Sequence, residues 1–104
     1  MTAVLFRDEV VGGQRETTTV EVPDVPTALT LRDLIILRVR EELARRGSPD
    51  RPWEREAEIT CRAFQRNGFL VLVGGRQVVE LDELVDLSQG PEVVFVRLVP
   101  LAGG

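Results

Sequence analysis

Hydrophobic and polar positions along this chain change period several times, and each change predicts an element. Ala3 to Val10 (AVLFRDEV) concentrates apolar residues on one side of a two-residue alternation and reads as a strand. Gly12-Gly13 suits a two-residue hairpin turn, because glycine takes positive φ without a Cβ clash. Thr17 to Val22 (TTTVEV) is rich in β-branched residues and reads as the returning strand, with Thr18, Val20 and Val22 alternating against Thr19 and Glu21. Pro23 and Pro26 are expected to end that pairing, since proline offers the ladder no donor.

From Thr30 the period becomes helical. The Thr30 hydroxyl can cap the backbone at Asp33, whose charge suits a first turn. Leu31, Ile35, Val39 and Leu43 form one stripe with Leu34 beside it, Arg45 and Arg46 occupy the last turn, and Gly47 stops the helix. A polar loop, Ser48 to Pro52, leads to a second helix over about Trp53 to Asn67, with Trp53, Ala57, Cys61 and Phe64 on one face and Gly68 closing it. Phe69 to Val73 (FLVLV) is a continuous apolar run, as expected of a central strand. Gly74-Gly75 turns the chain into a short strand, Arg76 to Val79. Leu81, Leu84 and Leu87 are expected to anchor a compact connection, and Gln89-Gly90-Pro91 a turn. Val93 to Val99 (VVFVRLV) is apolar on both faces and reads as a second central strand, which Pro100 ends. Leu101-Ala102-Gly103-Gly104 remains.

Composition narrows the function. The 104 residues suit one domain, and 43% hydrophobic with 29% charged residues is the balance of a globular chain. No apolar run approaches the roughly 18 residues of a membrane helix, and no basic region followed by an apolar stretch marks a signal peptide. One cysteine cannot form an internal disulfide, so a reducing cytoplasm is expected. A net charge of −4 without a basic block weighs against nucleic-acid binding. The absence of histidine and tyrosine removes the commonest general base and metal ligand and weighs against an enzyme. All 13 basic residues are arginine, so the chain carries no lysine ε-amine.

Two antiparallel strands, a helix, a central strand, a short edge strand and a final central strand make an α+β, β-grasp arrangement: a mixed sheet of four to five strands over one main helix, here with an inserted second helix. That order resembles the ubiquitin-like superfamily. FLVLVGGRQVVELDELVDLSQGPEVVFVRLVPLAGG is similar to ubiquitin's strand, turn, connection, strand and tail, and TVEVPDVPTALTLRDLI to its second strand and helix start. EVVFVRLVPLAGG also resembles the ending of the small sulfur carriers of molybdopterin and thiazole synthesis, with a proline just before Gly-Gly. The departure is the insert from about Arg45 to Asn67. The resemblance implies a domain over residues 1–99 and a flexible C-terminal tail over 100–104.

The tail chemistry follows from sterics. A carboxylate is a poor acyl donor until adenylation makes it a mixed anhydride that an amine, thiolate or sulfide can attack. The donor must thread a narrow active site, so Gly103 and Gly104 without side chains are suited to be the acyl-donor end, with Pro100, Leu101 and Ala102 as the connecting tail. The implied partners are an adenylating, E1-like activating enzyme that uses the ATP, together with an E2-like conjugating enzyme and a deconjugating peptidase; no cofactor or metal of the chain's own is implied. Cys61 lies on an apolar stripe and reads as a buried structural thiol. Asp82, Glu83 and Asp86 lack the spacing of a calcium loop, and Gly74-Gly75-Arg76 lacks the helix of a phosphate loop.

Leu70 and Leu72 can neighbour Val94 and Val96 and form a partner surface, if they face away from the helix. The alternation leaves the facing open, because Arg97 shares a side with Val93 and Phe95, and the inserted helix could also cover the open face. Three functions fit this reading: a bacterial-type ubiquitin-like modifier, a sulfur carrier bearing a thiocarboxylate at Gly104, and an interaction module without tail chemistry.

Overall fold

The computed structural model describes residues 1–11, 18–48 and 50–98. Gly12-Gly13 and the tail Pro100–Gly104 lie outside the described residues. In chain order the elements are β1 (Thr2–Val11), β2 (Thr18–Val25), β3 (Ala28–Thr30), α1 (Leu31–Arg45), α2 (Trp53–Gln65), β4 (Phe69–Val73), β5 (Arg76–Val78), β6 (Leu84–Asp86) and β7 (Glu92–Leu98).

The main sheet has the order β2-β1-β7-β4-β5. β1 and β7 run parallel at its centre, and the other neighbours are antiparallel. This mixed sheet over α1 is a β-grasp fold. β4 and β7, the two continuous apolar runs, are both interior strands with a partner on each side. None of the helices is long and apolar enough to cross a membrane, among the described residues.

The stripe of α1 is buried as its spacing requires: Leu31, Leu34, Ile35, Val39 and Leu43 all enter the core. The Thr30 hydroxyl accepts the Asp33 N–H at 3.2 Å. The two N–H groups before that, of Leu31 and Arg32, donate to the carbonyls of Glu83 and Leu81 at 3.0 and 2.9 Å. The connection after β5 is therefore held against the start of α1, where unpaired backbone donors are available. At the other end Gly47, at φ +75°, donates to Ala44, and Ser48 to Leu43, closing α1 in a Schellman motif.

Three expectations change. The pairing of β2 does not end at Pro23. It resumes at Val25 opposite Thr2, and Pro23 and Asp24 form a bulge opposite Ala3, with Asp24 at φ 60°. β2 is an edge strand, where the missing proline donor interrupts no second ladder. Gly68 is not the left-handed residue that closes α2; Asn67 takes that conformation, at φ 62°. Leu84 is not an anchor. It is 67% exposed, while Val85 is 1% exposed, because residues 84–86 form a strand against β3 and alternate with period two.

Leu81 and Leu87 are anchors as expected, and Leu87 is completely buried with its N–H on the Thr27 carbonyl at 2.7 Å. Leu87→Ala is expected to cost about 2–5 kcal/mol of stability. Leu84→Ala is expected to change it by less than about 0.5 kcal/mol. Denaturation midpoints check the pair, and equal losses would contradict the assigned facing.

Candidate functional site

Which side of the sheet is open follows from register. Val71 lies opposite Phe95 and Val73 opposite Val93, and all four belong to the core with α1. The intervening pairs, Leu70 with Val96 and Leu72 with Val94, point to the other side. The inserted helix does not cover that side. Its Phe64 ring lies 5.7 Å from Phe69, which shares the helix side with Phe95, and α2 packs mainly on α1. Its buried residues, Ala57, Cys61 and Phe64, extend the same core.

The four residues singled out from sequence as a partner surface are thus brought together on the face away from both helices. Val94 and Val96 form its floor and are themselves buried, and Leu70 and Leu72 stand half-buried beside them. The β1 side carries charge. Arg7, the register neighbour of Val94, reaches Glu9 at 3.2 Å and Glu92 at 3.1 Å, and its Nε is buried without a partner among the described residues. On the β5 side Gln77 stands opposite Leu72. The result is an aliphatic strip between a charged border and a neutral polar one. The accessible apolar area of the strip is that of Leu70 and Leu72, since Val94 and Val96 are 5% and 7% exposed.

The acyl-donor residues Gly103 and Gly104 and the tail residues Pro100, Leu101 and Ala102 lie outside the described residues. The described chain reaches Leu98 in β7, which is held between β1 and β4.

A second cluster, on the helix side, was not singled out from sequence. Arg38 of α1 donates from Nε to Asp8 of β1 at 3.1 Å and from Nη1 to Glu42 at 2.9 Å, and its guanidinium lies 5.0 Å from the centre of the Phe95 ring. Arg46 joins Glu42 at 2.8 Å. These groups line a groove of about 420 Å³ with Arg97, Phe69 and Glu56. The Arg38–Glu42 spacing of four is visible along the helix, but Asp8 is 30 residues away in sequence and only folding brings it in.

The remaining polar candidates have separate partners. Asp82 faces Arg32 at 3.6 Å, Glu83 holds Arg76 at 2.8 Å, and Asp86 accepts the Ser88 N–H at 2.9 Å; the Ser88 side chain first, and this N–H second, lower the Asp86 pKa. Cys61 is 7% exposed, and burial pushes its thiol up despite the opposing charge of Arg32. Cys61 is therefore expected to resist alkylation in the folded protein at neutral pH and to react once the chain is unfolded. Thiol titration with and without denaturant measures this, and equal rates would place the thiol at the surface.

A comparison of the chain with protein-family models and with curated proteins returns no match.

Proposed function

We propose that this protein is a ubiquitin-like modifier: the Gly104 carboxylate is adenylated by a separate activating enzyme and transferred to an amine of a target. The observation that carries the reading is a β-grasp domain whose central strand β7 is followed in sequence by Pro100-Leu101-Ala102-Gly103-Gly104. In the first step a carboxylate oxygen attacks the α-phosphorus of ATP, and pyrophosphate leaves. In the second an amine attacks the acyl carbon, the new C–N bond forms, and AMP departs with the electron pair of the broken C–O bond. The ATP chemistry belongs to the partner, and this chain contributes the acyl group and the surface that docks it.

Two further features support this reading. With no lysine, the chain presents no ε-amine to another copy's activated end. The half-buried Leu70 and Leu72, standing beside buried Val94 and Val96, are the apolar side chains that this face offers the activating enzyme apart from the tail. A second reading, a sulfur carrier in which sulfide replaces one oxygen of the activated carboxyl, is favoured by Pro100 shortly before Gly-Gly. ATP–pyrophosphate exchange with the cognate activating enzyme tests both, and analysis of the product separates them.

A further inference from the structure

We propose that Asn67-Gly68 is a latent deamidation site that the folded chain holds off. Asn67 is the single asparagine of the sequence, it is exposed, and glycine follows it. Glycine presents no side chain to hinder attack through its nitrogen. In the reaction the Gly68 backbone nitrogen loses its proton to hydroxide and attacks Asn67 Cγ. The N–Cγ bond forms, the Cγ–Nδ2 bond breaks as Nδ2 takes a proton from water, and ammonia leaves a five-membered succinimide with hydroxide regenerated. Water then opens one of the two ring carbonyls and leaves either aspartate or isoaspartate. No electrons are exchanged with any other species.

The fold opposes the first step. Asn67 and Gly68 close α2 in a Schellman motif: Asn67 N–H donates to Phe64 at 3.0 Å and Gly68 N–H to Ala63 at 2.8 Å. The nucleophilic nitrogen is thus engaged by a backbone carbonyl. The packing there is close, since a Cβ on residue 68 would stand 3.0 Å from that same Ala63 oxygen. With φ 62° Asn67 is also in the left-handed region, held there by the two bonds. Reaction must wait until the last turn of α2 opens. Gly47 closes α1 with the same pair of bonds but carries no side-chain amide.

The product matters to the core. Phe69 follows immediately, with its ring 5.7 Å from Phe64 and 6.2 Å from Phe95. Isoaspartate would reroute the backbone through the side-chain carbons just before Phe69, and either product places a negative charge at the unfavourable end of α2. The site therefore records time spent unfolded.

The test incubates the full chain at mildly alkaline pH, folded in buffer and unfolded in guanidinium, and follows conversion by peptide mapping and isoaspartate quantification. The unfolded chain is expected to convert at least about tenfold faster, as required if reaction depends on local opening. A smaller ratio, or no conversion in the unfolded chain, overturns the proposal. Asn67→Gly, which keeps the left-handed position, is expected to fold and to lose the signal; an undiminished signal in that variant also overturns it.

Discussion

Phe95→Ala is expected to destabilise the domain by about 3–5 kcal/mol. The ring is 6% exposed and sits where the sheet meets both helices. It packs edge-to-face on Phe6 at 5.7 Å and 77°, tilts against Phe69 at 6.2 Å, and supports the Arg38 guanidinium from 5.0 Å. Each aromatic pair adds about 0.5–1.5 kcal/mol beyond its buried area. The neighbouring groove of about 420 Å³ works in the opposite direction, because water can enter part of the space left behind and lessen the cavity cost. Arg38 would keep its bonds to Asp8 and Glu42, so the substitution leaves no unpaired charge behind. Equilibrium denaturation of the variant and parent, at unchanged slope, gives the difference. A loss below about 1 kcal/mol would show that the ring does not hold the two layers together.

Removal of Gly103 and Gly104 is expected to abolish ATP–pyrophosphate exchange with the activating enzyme while leaving the fold unchanged. Among the described residues the core runs from Val4 to Phe95; circular dichroism and the denaturation midpoint of the truncated protein are expected to match the full chain. Equal exchange by the truncated protein would sink the proposed function. If exchange requires the two glycines, mass spectrometry distinguishes the outcomes. A covalent adduct on another protein identifies a modifier, and an oxygen-to-sulfur exchange at the free carboxyl identifies a sulfur carrier. The adduct is the expected product, since a chain without lysine offers no ε-amine of its own to compete with the target.

Much of the fold was legible because local pattern and burial agree. The α1 stripe, its Thr30 cap and its Gly47 stop depend on residues within one or two turns of each other, and all three occur as read. The unbroken apolar runs of β4 and β7 take interior positions in the sheet, with Val71, Val73, Val93 and Phe95 turned to the helices. Val71 and Phe95 are core residues for that reason.

The candidate surface was legible as a set of residues but not as a face. Val93 to Val96 are all apolar, so alternation carries no information about which side the helices take. Only the packing of α1 and α2 over Val71 and Phe95 leaves Leu70 and Leu72 on the opposite side. The bulge at Pro23-Asp24 depends on β2 lying at an edge, and Leu84 faces outward because β6 pairs with β3, more than fifty residues back along the chain. The contact of Arg38 with Asp8 likewise exists only once β1 lies beneath α1. Local spacing determined the elements and their buried stripes, whereas the facing of the sheet and the long-range polar contacts were decided by which surfaces the assembled layers removed from water.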